Sequence, residues 1–269
     1  MSIRDARIFK IVPNALTIGN SVCGFLAILY TLRAYENAET SSMLRVFVVS
    51  AWMIFAAMIF DALDGLAART FHASSMTGIQ MDSLSDMVTF GVAPATLVAI
   101  MTHSLRDYPL GPWQEVIVYM LCSVYLGCAA LRLAIYNVKA ITEHKNSKSF
   151  SGLPSPGAAA AICVTIFFVY SLSTRETSRI DLNRLAFILP VYAAVLGILM
   201  VSSVPYLHVG KWLVSMFRNR NKQLFFSVLL VLVIIFRINA LAAIVTGYIL
   251  SGPLSLLLPK KVRKRIFED

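Results

Sequence analysis

The segment Asp61–Asp86 reads DALDGLAARTFHASSMTGIQMDSLSD and joins two apolar runs, Val46–Phe60 before it and Val88–Thr102 after it. Asp61 and Asp64 close the first run, and Asp82 and Asp86 open the second. Spacings of three and four put each pair on one face of a helix. A short loop between the helices lets the four carboxylates converge at one membrane interface. An Asp at mid-bilayer costs about 2.5–3.5 kcal/mol on insertion scales, less near an interface, and four together also repel one another. Something must offset that. Clustered hard oxygen ligands suit Mg²⁺, Mn²⁺ or Ca²⁺.

Composition explains why a bilayer enters at all. Of 269 residues 58% are hydrophobic and 14% charged, with a mean hydropathy of +0.72. Soluble domains carry about 25% charged residues. Five further apolar runs, Ala15–Leu32, Val116–Ile135, Ala158–Leu172, Leu185–Val201 and Leu224–Leu258, complete the pattern. About 20 residues cross the hydrocarbon core, and several runs reach that length only with their polar flanks. The first run is too long for a signal peptide and lacks a small-residue cleavage site, so it is a helix. Cys23, Cys122, Cys128 and Cys163 all fall inside apolar runs without metal-ligand spacing, as small core residues do.

The net charge of +10 does not indicate nucleic acid, because the basic residues sit at the ends of apolar segments. Arg4, Arg7 and Lys10 precede the first, and Lys260, Lys261, Arg263, Lys264 and Arg265 close the chain. That is the positive-inside bias. The expectation is an all-α polytopic bundle of eight transmembrane helices in a single domain, 1–269, in the cytoplasmic membrane. Residues 1–206 would be the catalytic core, and 207–269 a C-terminal hairpin with a basic tail. The hairpin is expected to turn at Arg237–Asn239, since one long helix would bury Arg237 in lipid. Both termini and the 70–78 loop then face the cytoplasm. Residues 1–10 read equally well as an amphipathic surface helix or as a disordered start.

Around the acids stand Gly65, Ala68, Arg69 and Gly78. Glycines let a ligand approach the backbone, and the Arg69 fork suits phosphate. Acids that hold cations, an arginine and two glycines suit a pyrophosphate-bearing substrate. Any one interfacial Asp is as readily a helix cap or a surface ion pair. The set is not, because D-x2-D-G-x2-A-R-x8-G-x3-D-x3-D arises by chance on the order of 10⁻⁹ per position at ordinary residue usage.

That string resembles the signature of the CDP-alcohol phosphatidyltransferase family, in which an alcohol displaces CMP from a CDP-linked lipid or alcohol. The resemblance implies a six-helix core, to which the two C-terminal helices would be an addition. It implies a homodimer with its site toward the cytoplasmic leaflet, and two divalent cations, Mg²⁺ or Mn²⁺, held by Asp61, Asp64, Asp82 and Asp86. Asp86 would also be the catalytic base. Gly65, Ala68, Arg69 and Gly78 would line the CDP-lipid pocket, with Asn20 beside them.

Softer motifs narrow the resemblance. PNALTIGNSVCGFLAI (Pro13–Ile28), DSLSDMVTFGVAPA (Asp82–Ala95), ALRLAIYN (Ala130–Asn137), FSGLPSP (Phe150–Pro156) and LMVSSVPY (Leu199–Tyr206) are similar to bacterial phosphatidylserine synthases of the membrane-integral type. Ile135–Tyr136 departs from the Arg-Phe expected there. The implied substrates are CDP-diacylglycerol and L-serine. Arg132, a cation within a span, should face the site, where it could hold the serine carboxylate with Asn137 nearby; it could instead pair with a neighbouring Asp. Asn20 and Asn137 also read as caps or interhelical hydrogen bonds. Glycerol phosphate, inositol phosphate and choline are alternative acceptors. A divalent-cation transporter is the reading from another class, weakened because no acidic ladder crosses the membrane.

Overall fold

The computed structural model describes residues 3–36, 39–70, 76–106, 109–142, 152–174, 181–206 and 220–257, without side chains at 3–11, 68, 69, 139–142 and 220–237. The described elements are helical. They are α1 (Ile3–Leu32), α2 (Thr40–Thr70), α3 (Met76–Asp86), α4 (Ala93–Ser104), α5 (Pro112–Thr142), α6 (Ser155–Ser173), α7 (Leu182–Val201) and α8 (Arg220–Ser255). A 3₁₀ turn, Arg33–Glu36, follows α1, and a π-helical segment, Met87–Val92, fuses α3 to α4. In hydrocarbon every backbone amide must find its partner inside its own segment, which is why such apolar runs become helices.

Seven spans are long and apolar enough to cross a bilayer among the described residues, with Met76–Ser104 counted as one. The chain is a multi-pass, all-α membrane protein. The α3–α4 span is the most buried of the seven. Large apolar side chains elsewhere, such as Trp52, Ile59, Met120 and Ile188, point outward as a lipid-facing surface requires.

Two expectations need correction. Eight spans with a hairpin at Arg237–Asn239 were expected, but both residues lie inside α8, one continuous helix of 36 residues. No glycine or proline occurs from Asn221 to Thr246, so nothing in the chain breaks the helix there, and a turn would strip backbone groups of their partners. From Ile3 on, the N-terminal segment is neither a separate helix nor irregular. It forms the first turns of α1, which runs through Pro13.

Small residues set how closely the helices approach, the usual means of packing in lipid. At Gly197 an added Cβ would stand 2.8 Å from the Tyr125 Cα, so α7 rests directly on the α5 backbone. At Gly24 it would stand 2.5 Å from Thr89 Oγ1, so α1 rests on the π segment. Trp52, Phe55 and Phe167 stack between α2 and α6, with Phe55 and Phe167 centroids 5.8 Å apart. The Gly152-Leu153-Pro154 turn before α6 is as expected. Gly152 has φ +92°, its amide donates to the Val204 carbonyl at 2.8 Å, and that of Leu153 donates to Leu199 at 3.0 Å. The start of α6 is thereby tied to the end of α7.

Candidate active site

The end of α2 and the last turns of α3 bring the acids together. Carboxylate oxygens of Asp61, Asp64 and Asp82 lie within 4.8 Å of one another. Asp86 is not in that triad but lies within electrostatic reach of Asp61. Asp64 is 4% exposed and accepts the Thr17 hydroxyl at 2.9 Å. Asn20, fully buried, donates its amide to Asp86 Oδ1 at 3.2 Å.

The donor set fits a divalent cation. At Mg–O distances of about 2.1 Å, oxygens around one ion lie up to about 4.2 Å apart, so the triad stands at or close to binding spacing. Asp82 Oδ1 and Asn20 Oδ1 are buried without a hydrogen-bond partner among the described residues. Buried polar atoms are rarely left so. A cation between the carboxylates would satisfy Asp82 and offset the mutual repulsion.

Helix α1 is the wall against which the acids are held. Thr17, Asn20, Ser21 and Gly24 recur at helical spacing along one of its faces. Besides the two contacts to Asp64 and Asp86, Ser21 donates to Ser85 Oγ at 2.9 Å. Ser85 donates to the Thr17 carbonyl at 2.9 Å, and Thr89 to the Asn20 carbonyl at 3.2 Å. Of this face sequence reasoning singled out Asn20 alone. The signal was present as small and polar residues at 3–4 spacing inside an apolar run. The π segment directly after Asp86 was not legible. Its Phe90 carbonyl accepts the buried Tyr125 hydroxyl at 2.8 Å, and π-bulges of this kind favour functional sites.

The other expected residues fall as follows. Arg132, 9% exposed, donates Nη1 to Ser155 Oγ at 3.0 Å and lies within electrostatic reach of Asp86. Asn137 accepts the Ser83 hydroxyl at 2.7 Å, which ties the end of α5 to the turn of α3 that carries Asp82. Ile135 and Tyr136, where the motif departs, are exposed. Gly65 follows Asp64 on α2, and Gly78 lies in the first turn of α3. The side chains of Ala68 and Arg69 lie outside the described residues, as does His72. Of the cysteines, Cys122 and Cys163 are buried, Cys23 and Cys128 partly so, and all four are free thiols.

The arrangement, a polar end of a lipid-facing bundle with a carboxylate triad and a buried arginine, is that of a membrane enzyme acting on phosphate esters. Residues 10–204 match the CDP-alcohol phosphatidyltransferase family, and the chain belongs to it. Enzymes of this family generally depend on divalent cations, in keeping with the acidic cluster. Similar proteins include a CDP-diacylglycerol–serine O-phosphatidyltransferase of Helicobacter pylori, 30% identical over 89% of this chain and 88% of that one. The Bacillus subtilis protein of the same name is 32% identical over 74% of this chain and 92% of its own. That of Saccharomyces cerevisiae is 33% identical over 56% and 51%.

Proposed function

We propose that the protein transfers the phosphatidyl group of CDP-diacylglycerol to the hydroxyl of L-serine, giving phosphatidylserine and CMP. The observation that carries this reading is the convergence of Asp61, Asp64 and Asp82 within 4.8 Å, beside Asp86 and near the buried Arg132. The names of the relatives supply the acceptor.

In this reading Asp61, Asp64, Asp82 and Asp86 would hold two divalent cations, Mg²⁺ or Mn²⁺, which when bound would neutralise charge on the pyrophosphate oxygens. Asp61, Asp64 and Asp82 are the principal ligands. Asp86, held at Oδ1 by Asn20, takes the proton from the serine hydroxyl. The serine oxygen bonds to the phosphorus that bears diacylglycerol, the bond from that phosphorus to the CMP oxygen breaks, and CMP leaves with the electron pair. Gly65, Ala68, Arg69 and Gly78 line the nucleotide-lipid pocket. Arg132 receives the serine carboxylate, with Asn137 shaping the same pocket through Ser83. The acyl chains remain in lipid alongside the outward apolar surface.

The charge bias supports a site and termini at the cytoplasmic face of the cell membrane. Residues 1–206 form the catalytic core, and the working unit is a homodimer. The test is an acceptor panel. Purified protein with CDP-diacylglycerol and Mn²⁺ should release CMP with L-serine, and at least tenfold more slowly with glycerol phosphate, inositol phosphate or choline. Preference for one of those would replace serine as the acceptor.

A further inference from the structure

The family match ends at residue 204, but the polar network around Arg132 continues beyond it. Arg132 lies within electrostatic reach of Asp86, Tyr136 and Tyr248, and Tyr248 belongs to α8. The ring of Tyr248 is held in place from two sides. Its centroid lies 5.7 Å from that of Tyr206, at 52°. Gly157, two residues past the Ser155 that accepts from Arg132, leaves it room. A Cβ at Gly157 would come within 3.3 Å of Tyr248 Cε1.

The helix that carries Tyr248 is itself anchored. Tyr206, 3% exposed, donates its hydroxyl to the Ile249 carbonyl at 3.1 Å. One turn on, Gly252 lies flat under the Tyr206 ring, where any side chain would collide. Tyr206 stands two residues past Val204, whose carbonyl accepts from Gly152. The GLP turn, the end of α7 and α8 therefore meet at one place, at the cluster end of the bundle. Lipid exposure alone would not demand this, because a helix held only by the bilayer needs neither a buried tyrosine nor a glycine cut to its shape.

We propose that Tyr248 is a positioning residue for the acceptor pocket, holding the Arg132 guanidinium turned toward the acidic cluster so that α8 sets acceptor affinity. This rests on the serine reading above. Arginine recognises a carboxylate through a planar fork, and a fork is useful only in one orientation. Ser155 fixes one edge of it, and Tyr248 lies on another helix within its electrostatic reach.

The experiment uses the full chain in nanodiscs with CDP-diacylglycerol and Mn²⁺, following CMP release. For Tyr248→Phe the KM for L-serine should rise at least fivefold, with kcat and the KM for CDP-diacylglycerol within twofold of wild type. Gly157→Ala keeps the tyrosine but pushes its ring, and should show the same split. An unchanged serine KM in both variants overturns the proposal, as does a loss shared by kcat and both KM values. If the wild type releases no CMP with serine, the acceptor reading itself has failed, a result separable from any difference between variants.

Discussion

The side-chain amide of Asn20 donates to Asp86 Oδ1 at 3.2 Å, a bond between residues 66 apart in sequence that joins α1 to the start of the central span. Asn20 is fully buried and its position is set by helix packing at Gly24, so the contact aims the carboxylate rather than following it. Asn20→Ala should therefore lower kcat by about one to two orders of magnitude, a fraction of what general-base catalysis supplies. The KM for CDP-diacylglycerol should change little. Steady-state kinetics with both substrates varied checks this.

Asp86 itself should matter more. Asp86→Asn preserves shape and removes the proposed base, and its kcat should fall by about 10²–10⁴. Because Asp86 lies outside the close triad, the cation concentration for half-maximal rate should shift far less than in Asp82→Asn. The comparison of metal titrations in the two variants is the measurement.

Removal of metal gives the converse test. Chelation should abolish CMP release, and Mn²⁺ or Mg²⁺ should restore it. Asp82→Asn should raise the half-saturating cation concentration by at least about tenfold, since even outer-shell partners are worth that much. Full activity in chelator would remove the cation from the mechanism.

Gly24 separates packing from chemistry. Gly24→Ala forces a methyl to within 2.9 Å of the Thr89 Cα. Overpacking of this kind costs about 1–3 kcal/mol. The variant should unfold at lower temperature and lose activity through displacement of Asp86. Gly127→Ala, where nothing lies within 4 Å, should leave both unchanged.

At the other side of the pocket, Gly152 sits at φ +92° against the Met200 carbonyl. Alanine there pays about 1–2 kcal/mol for the left-handed backbone, beyond the collision. The tie to Val204 should loosen and carry Ser155 away from Arg132. Thermal stability should fall, with the KM for serine raised more than that for CDP-diacylglycerol.

The aspartate cluster was legible because its four members are close in sequence and their spacing matches the helix period. Arg132 could be singled out because a cation inside an apolar run is costly and needs a reason. Thr17, Ser21 and Ser85 were harder to see, since small hydroxyl residues are cheap anywhere in a helix, and Ser155 is tied to Arg132 only across the bundle. The expected turn at Arg237–Asn239 failed for a related reason. Two polar residues were weighed against lipid, while the uninterrupted helix-forming sequence around them carried the backbone straight through.

By itself the sequence determined the class: apolar runs too numerous for water, helices as the only way to satisfy their backbones, and an acidic motif too regular for chance. Only the tertiary structure decided which residues turn those acids into a site. The polar face of α1 and the π segment after Asp86 meet their partners across helices, through contacts between residues far apart in the chain. No local period records such contacts. They arise where glycines let two backbones close to touching distance, and that is settled by packing.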